Sequence, residues 1–171
     1  MRQSLRPLCW VARHCATELA REAGRTAPRE TGGVLVGWQM SNGETVIERI
    51  IGPGPRAVHE PERFVPDYEY QEAAIVEIFR ASDGKLTYLG DWHSHPAAGA
   101  YLSPADQATL KRIAEHSESG IRMPMMAIVA GGDPWLLAVW QYRPSGVYSF
   151  AYRAATISCR TQYYESVDKV T

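Results

Sequence analysis

No stretch of the 171-residue chain approaches the ~20 consecutive apolar residues that a membrane-spanning helix needs, so no transmembrane anchor is expected. Charge of one sign is not in excess either: 18 Lys and Arg face 19 Asp and Glu, for a formal net charge of −1. Without a basic field there is no electrostatic footprint for nucleic acid or for an anionic membrane surface. Cysteine is scarce, and Cys9, Cys15 and Cys159 form no C-x-x-C pair and no zinc-finger spacing. Such an odd set argues against a disulfide scaffold and reads as free thiols in a reducing compartment, hence a cytoplasmic address. Leu8 to Ala12 is an apolar patch too brief for a signal-peptide core, being broken by Arg13 and His14. Internal repeats and low-complexity tracts are absent as well.

What remains is an ordinary globular composition, 45% apolar and 22% charged, at the length of one domain. The expectation is a single unit over residues 1–171, with a core from residue 8 to 154 and a short polar C-terminal tail. Val11, Cys15, Leu19 and Ala23 recur at four-residue steps, which predicts an amphipathic helix from Val11 to Ala23. Gly33 to Trp38 and Thr45 to Ile51 are β-rich runs joined through Asn42-Gly43, a hairpin signal. Phe64 and Val65 suggest a short strand, and Pro66 and Asp67 open a second helix to about Ala81. Lys85 to His95 carries a strand, Ser103 to His116 a third helix, and Met125 to Ala130, Trp135 to Tyr142 and Val147 to Arg153 three further strands. Ile157 to Thr171 reads as a closing strand and the tail. The fold class is α/β of the α+β type: a mixed, mostly antiparallel curved sheet flanked by about three helices.

The chemistry concentrates at His93-Ser94-His95-Pro96, followed by Ser103 and Asp106. Residues i and i+2 of a strand share a face, so His93 and His95 can present two imidazoles to one ion. With the Asp106 carboxylate they make a donor set suited to Zn²⁺ that keeps a fourth position open for water. Ser103-Pro104-Ala105-Asp106 taken alone is simply a good helix start, with Ser at N-cap, Pro at N1 and an acid at N3. Asp91 shares the parity of the two histidines, and either orients a ligand or takes an ordinary salt-bridged or surface position. Trp92 and Ser94 have the opposite parity, which places Trp92 in the core and allows Ser94 a hydrogen bond near the site. His14, His59 and His116 read as surface or hydrogen-bonded residues, and Met123, Met125 and Met126 as packing.

Upstream, Glu30-Thr31-Gly32-Gly33 leads into an apolar strand. Glu30, then His93-x-His95, then seven residues, then Ser103-x-x-Asp106, resembles the JAMM motif of JAB/MPN-domain metallopeptidases. The stretches around Gly52 to Pro55, Phe64 to Asp67 and Gly90 to Pro96 are similar to the compact prokaryotic branch of that family. The resemblance implies a cytidine-deaminase-like JAB/MPN fold, with His93, His95 and Asp106 as zinc ligands, Glu30 as the proton-transfer group and Ser103 at the oxyanion. It also implies a deubiquitinase-like isopeptidase. Its substrate would be a ubiquitin-like modifier or its conjugate, cut after a C-terminal glycine, with E1- and E2-like enzymes as partners in antiviral operons. A non-catalytic MPN-type binding module is the alternative, but it predicts lost ligands. An amidohydrolase barrel would need about 250 residues.

Overall fold

The computed structural model describes residues 6–116, 120–144 and 155–167. Its first element is a strand, β1 (Leu8–Ala12), which passes directly into helix α1 (Arg13–Thr26). The expected helix therefore begins two residues late. Cys9 and Val11 are fully buried in β1, which lies parallel to a neighbour on each side, so this brief apolar patch is an interior strand. Cys15, Leu19 and Ala23 form the buried stripe of α1, as their spacing predicts.

Strands β2 (Gly32–Gln39) and β3 (Thr45–Ile51) form the expected antiparallel hairpin, turning at Gly43 with φ of 86°. Two short strands, β4 (Val58–Glu60) and β5 (Arg63–Val65), pair as a separate two-stranded hairpin. Helix α2 (Tyr68–Ala81) follows, with Asp67 as N-cap. Then come β6 (Thr87–Pro96), α3 (Pro104–Glu115), β7 (Met125–Gly131), β8 (Trp135–Arg143), β9 (Ala155–Ser158) and β10 (Arg160–Tyr164). The strand expected over Val147 to Arg153 lies outside the described residues. No described helix is long and apolar enough to cross a membrane.

The main sheet runs β10-β1-β3-β2-β6-β7-β8-β9. Its two edges are consecutive in sequence, separated only by Cys159. The Cys159 amide bonds Val139 O at 2.8 Å and the Arg160 amide bonds Pro7 O at 2.8 Å, so the sheet curls until its edges are stitched by one segment. This sheet extends past residue 154, the limit expected for the core. The hydroxyls of Tyr164, the last residue of β10, and of Ser166 beyond it both donate to the buried Glu48 carboxylate.

Helix α1 covers one face of the sheet, where Leu35, Trp92, Met125, Ala127 and Val129 meet Cys15 and Leu19. On the other face α2 packs Ala74, Ile75 and Ile78 over Val34, Val36 and Ile51, while α3 packs Leu110 over Met126, Ile128 and Ala130. The site lies on this second face.

Strand β6 changes phase once. Leu35 pairs with Gly90 but Val36 pairs with Tyr88, so Leu89 is an extra residue in a β-bulge. Tyr88 therefore faces α2, Leu89 faces α1, and Asp91 returns to the side of Tyr88. Gly90 has φ of 143°, and a Cβ there would lie 2.0 Å from Met125 O. Gly90→Ala is thus expected to lower stability by about 3 kcal/mol or more, read as a fall in the denaturant midpoint at unchanged m-value.

Candidate active site

Beyond the bulge the alternation of β6 is regular. Trp92 points into the α1 core, 1% exposed, and its indole N–H donates to Ile51 O at 3.1 Å. His93 and His95 point to the opposite face. Their Nε2 atoms converge to 3.0 Å, and Asp106 Oδ1 lies 3.3 Å from His93 Nε2. One ligand atom from each of the three residues falls within 4.8 Å of the others. An ion held tetrahedrally at about 2.0–2.1 Å from each donor would set neighbouring donors roughly 3.3 Å apart, so these side chains fit a metal ion. Burial pushes the His93 imidazole below its ordinary pKa, against the pull of Asp106, and keeps it in the neutral form that a ligand requires. The Nδ1–H of His95 points at Gly99 O, 3.3 Å away, which leaves Nε2 free for an ion.

Asp106 arrives on the first turn of α3. Ser103 caps this helix: its Oγ accepts from the Asp106 amide at 3.1 Å, and Asp106 Oδ2 accepts from the Ser103 amide at 2.8 Å. The Ser103 hydroxyl donates to the same Oδ2 at 2.7 Å. The carboxylate is thereby divided, with Oδ2 spent on the helix start and Oδ1 turned toward His93. The helix cap read from Ser103-x-x-Asp106 is thus formed, and it leaves the second carboxylate oxygen beside His93.

Glu30 enters from the N-terminal end of β2. The Thr31 amide donates to the fully buried Ser94 Oγ at 3.0 Å, and the Ser94 amide donates to Thr31 O at 2.8 Å. Ser94 thus fixes the main chain beside Glu30, a specific form of the hydrogen bond expected of it. Glu30 lines a cleft of about 960 Å³ together with His93, His95, Ser103 and Asp106. Burial, more than its neighbours Asp106 and Glu62, raises the pKa of its carboxyl, while His95 acts in the opposite direction. All five expected site residues therefore open onto one cleft.

Asp91 is partly buried and lines the same cleft. Its Oδ1 accepts from the Tyr88 hydroxyl at 2.9 Å, and burial pushes its carboxyl up to about 6. Sequence alternation could not find Tyr88, because simple parity fails across the bulge. His59, read as a surface or hydrogen-bonded residue, is hydrogen-bonded: its Nδ1–H donates to Glu30 O at 2.9 Å, a partner that the sequence did not point to. Burial raises the pKa of all three free thiols, so none is a ready nucleophile.

A family model described as prokaryotic homologs of the JAB domain matches residues 12–144. The chain belongs to this family. A probable metalloprotease of Sinorhizobium fredii is 31% identical to this JAB protein over 135 residues, 78% of the chain and 82% of the relative. A CD-NTase/cGAS isopeptidase of Vibrio cholerae is 29% identical over 107 residues, 63% and 65% of the two chains. The solution structure of a protein from Desulfitobacterium hafniense superposes with a TM-score of 0.65 at 21% identity, covering 92% and 94% of the chains, and shares the fold. This JAB protein is a hydrolytic metalloenzyme, and among the described residues His93, His95 and Asp106 form a group that fits a metal ion.

The double use of Asp106 makes Ser103→Ala informative. Loss of the cap is expected to lower stability by about 1 kcal/mol. Release of Oδ2 is expected to weaken metal retention by about 10–100-fold, since the hydroxyl holds the Asp106 carboxylate in place. Thermal denaturation and titration with a competing chelator measure the two effects separately.

Proposed function

We propose that this JAB enzyme is a zinc isopeptidase that cleaves after the C-terminal glycine of a ubiquitin-like modifier, releasing it from target proteins or trimming its precursor. The observation that carries this reading is the convergence of His93, His95 and Asp106 at a cleft that also holds Glu30. The isopeptidase name of the Vibrio cholerae relative supports a protein conjugate as substrate. By the same reading the enzyme acts in the cytoplasm, in antiviral defence, beside E1- and E2-like enzymes. The non-catalytic alternative gains nothing from a site in which every ligand is retained.

When bound, zinc would lower the pKa of a water to about 7 and polarise the scissile carbonyl. The protein does the rest. Glu30 takes a proton from the attacking water and returns it to the departing amine, and its raised pKa suits a group that must hold the proton between those events. Ser103 is assigned to the developing oxyanion, for which its hydroxyl must turn from Asp106 Oδ2 toward the substrate. The modifier's extended tail would add to a strand edge, and the β4–β5 hairpin, within the span from Gly52 to Pro66, offers one beside Glu30. A glycine before the scissile bond lets the backbone approach the ligands without a side chain in the way.

Glu30→Gln is expected to keep the fold and the metal while kcat falls by about 10²–10⁴-fold. Asp106→Ala is expected to lose metal and activity together. Removal of metal by chelation should abolish cleavage, and zinc should restore it. Specificity is read by mass spectrometry on a panel of ubiquitin-like conjugates and C-terminal extensions. Equal cleavage of unrelated unfolded peptides would refute the modifier assignment and leave a general metallopeptidase.

A further inference from the structure

Glu30 lies outside every strand, since β2 begins two residues later. A reacting carboxylate on an irregular segment needs its main chain held from elsewhere. Ser94 holds Thr31 on one side. On the other, both main-chain groups of Glu30 are taken by β4: its N–H donates to Glu60 O at 2.9 Å, and its carbonyl accepts from His59 Nδ1 at 2.9 Å. A strand neighbour would ordinarily supply a backbone amide for the second bond. Here an imidazole supplies it.

The imidazole is itself held. His59 pairs across the hairpin with Phe64, their ring centroids 5.5 Å apart and tilted by 33°. The Phe64 ring in turn lies over Gly32, where an added Cβ would come within 2.8 Å of it. The contacts close a circuit from Glu30 through Thr31, Gly32, Phe64 and His59 back to Glu30. A hairpin of two three-residue strands is marginal by itself, so this circuit fixes the hairpin and Glu30 together.

We propose that His59 is a positioning residue, whose Nδ1–H donation to the Glu30 carbonyl sets where the Glu30 carboxylate stands relative to His93, His95 and Asp106. The proposal rests on Glu30 as the proton-transfer group. Two variants separate the hydrogen bond from the ring contact: His59→Phe keeps a ring against Phe64 without a donor, and His59→Asn keeps an N–H near the δ position without the ring. Both are expected to fold and to retain metal. In His59→Phe, kcat should fall about ten- to a hundredfold at nearly unchanged KM, and His59→Asn should recover most of that loss. The Glu30 amide should exchange its hydrogen faster in His59→Phe, while the interior amides of β2 stay protected. In a Glu30→Gln background, His59→Phe should cost little more, because the two residues act as one unit.

The cycle uses any amide substrate that the wild type turns over, so an incorrect modifier assignment leaves it intact. Glu30→Gln with wild-type kcat would remove the base assignment and this proposal with it. Wild-type kcat in metal-loaded His59→Phe, equal losses in the Phe and Asn variants, or full additivity with Glu30→Gln would overturn the positioning role alone.

Discussion

The alternation of β6 is the constraint on which the site depends. Trp92 is enclosed in the α1 core and anchored to Ile51 O, so β6 cannot rotate or slip by one residue without expelling a buried indole. With Trp92 and Ser94 committed to one face, His93 and His95 have only the other. The neighbouring backbones come close enough to enforce this order. A Cβ at Gly33 would lie 1.9 Å from Ile51 O, and one at Gly90 would lie 2.0 Å from Met125 O. The Gly-Gly that follows Glu30 and the glycine three residues before His93 are therefore packing requirements of the same strand stack.

Asp106 shows how a local and a distant requirement coincide. A carboxylate on the first turn of a helix is favoured by the free amides and the positive end of the helix dipole, typically by about 0.3–1 kcal/mol. The cap alone would be satisfied by either oxygen. The position of His93 decides that Oδ2 serves the cap and leaves Oδ1 to face the imidazoles.

The convergence of His93, His95 and Asp106 was legible in sequence because the three residues lie on one strand and the helix that follows it, where parity and capping are local rules. Glu30 was legible only through resemblance, since its place beside Ser94 depends on the pairing of β2 with β6. The hairpin of β2 and β3 and the three helices followed from alternation, turn residues and helical periodicity. Leu8 to Ala12 did not. Val11 continues the four-residue series of α1, and the two parallel partners that make it a strand, β3 and β10, come from distant parts of the chain. Asp91 had the parity expected of it, but its partner Tyr88 is three residues away, a spacing that shares a face only across the Leu89 bulge.

The polar residues around the cleft have a common origin. The site is assembled where β2 begins, β6 ends and α3 begins, and the ends of regular elements leave backbone groups without ladder or helix partners. Ser94 Oγ takes the Thr31 amide, Ser103 Oγ takes the Asp106 amide, and His59 supplies a donor to the Glu30 carbonyl. The Gly99 carbonyl, in the loop before α3, receives the His95 Nδ1–H. Each of these bonds satisfies an element end and at the same time orients a side chain of the cleft or the main chain of Glu30. In the middle of the sheet the ladder would have used those backbone groups, and the side chains would have had only packing to fix them. Placing the chemistry at the element ends is what lets short-range hydrogen bonds set the direction of the imidazole and carboxylate groups.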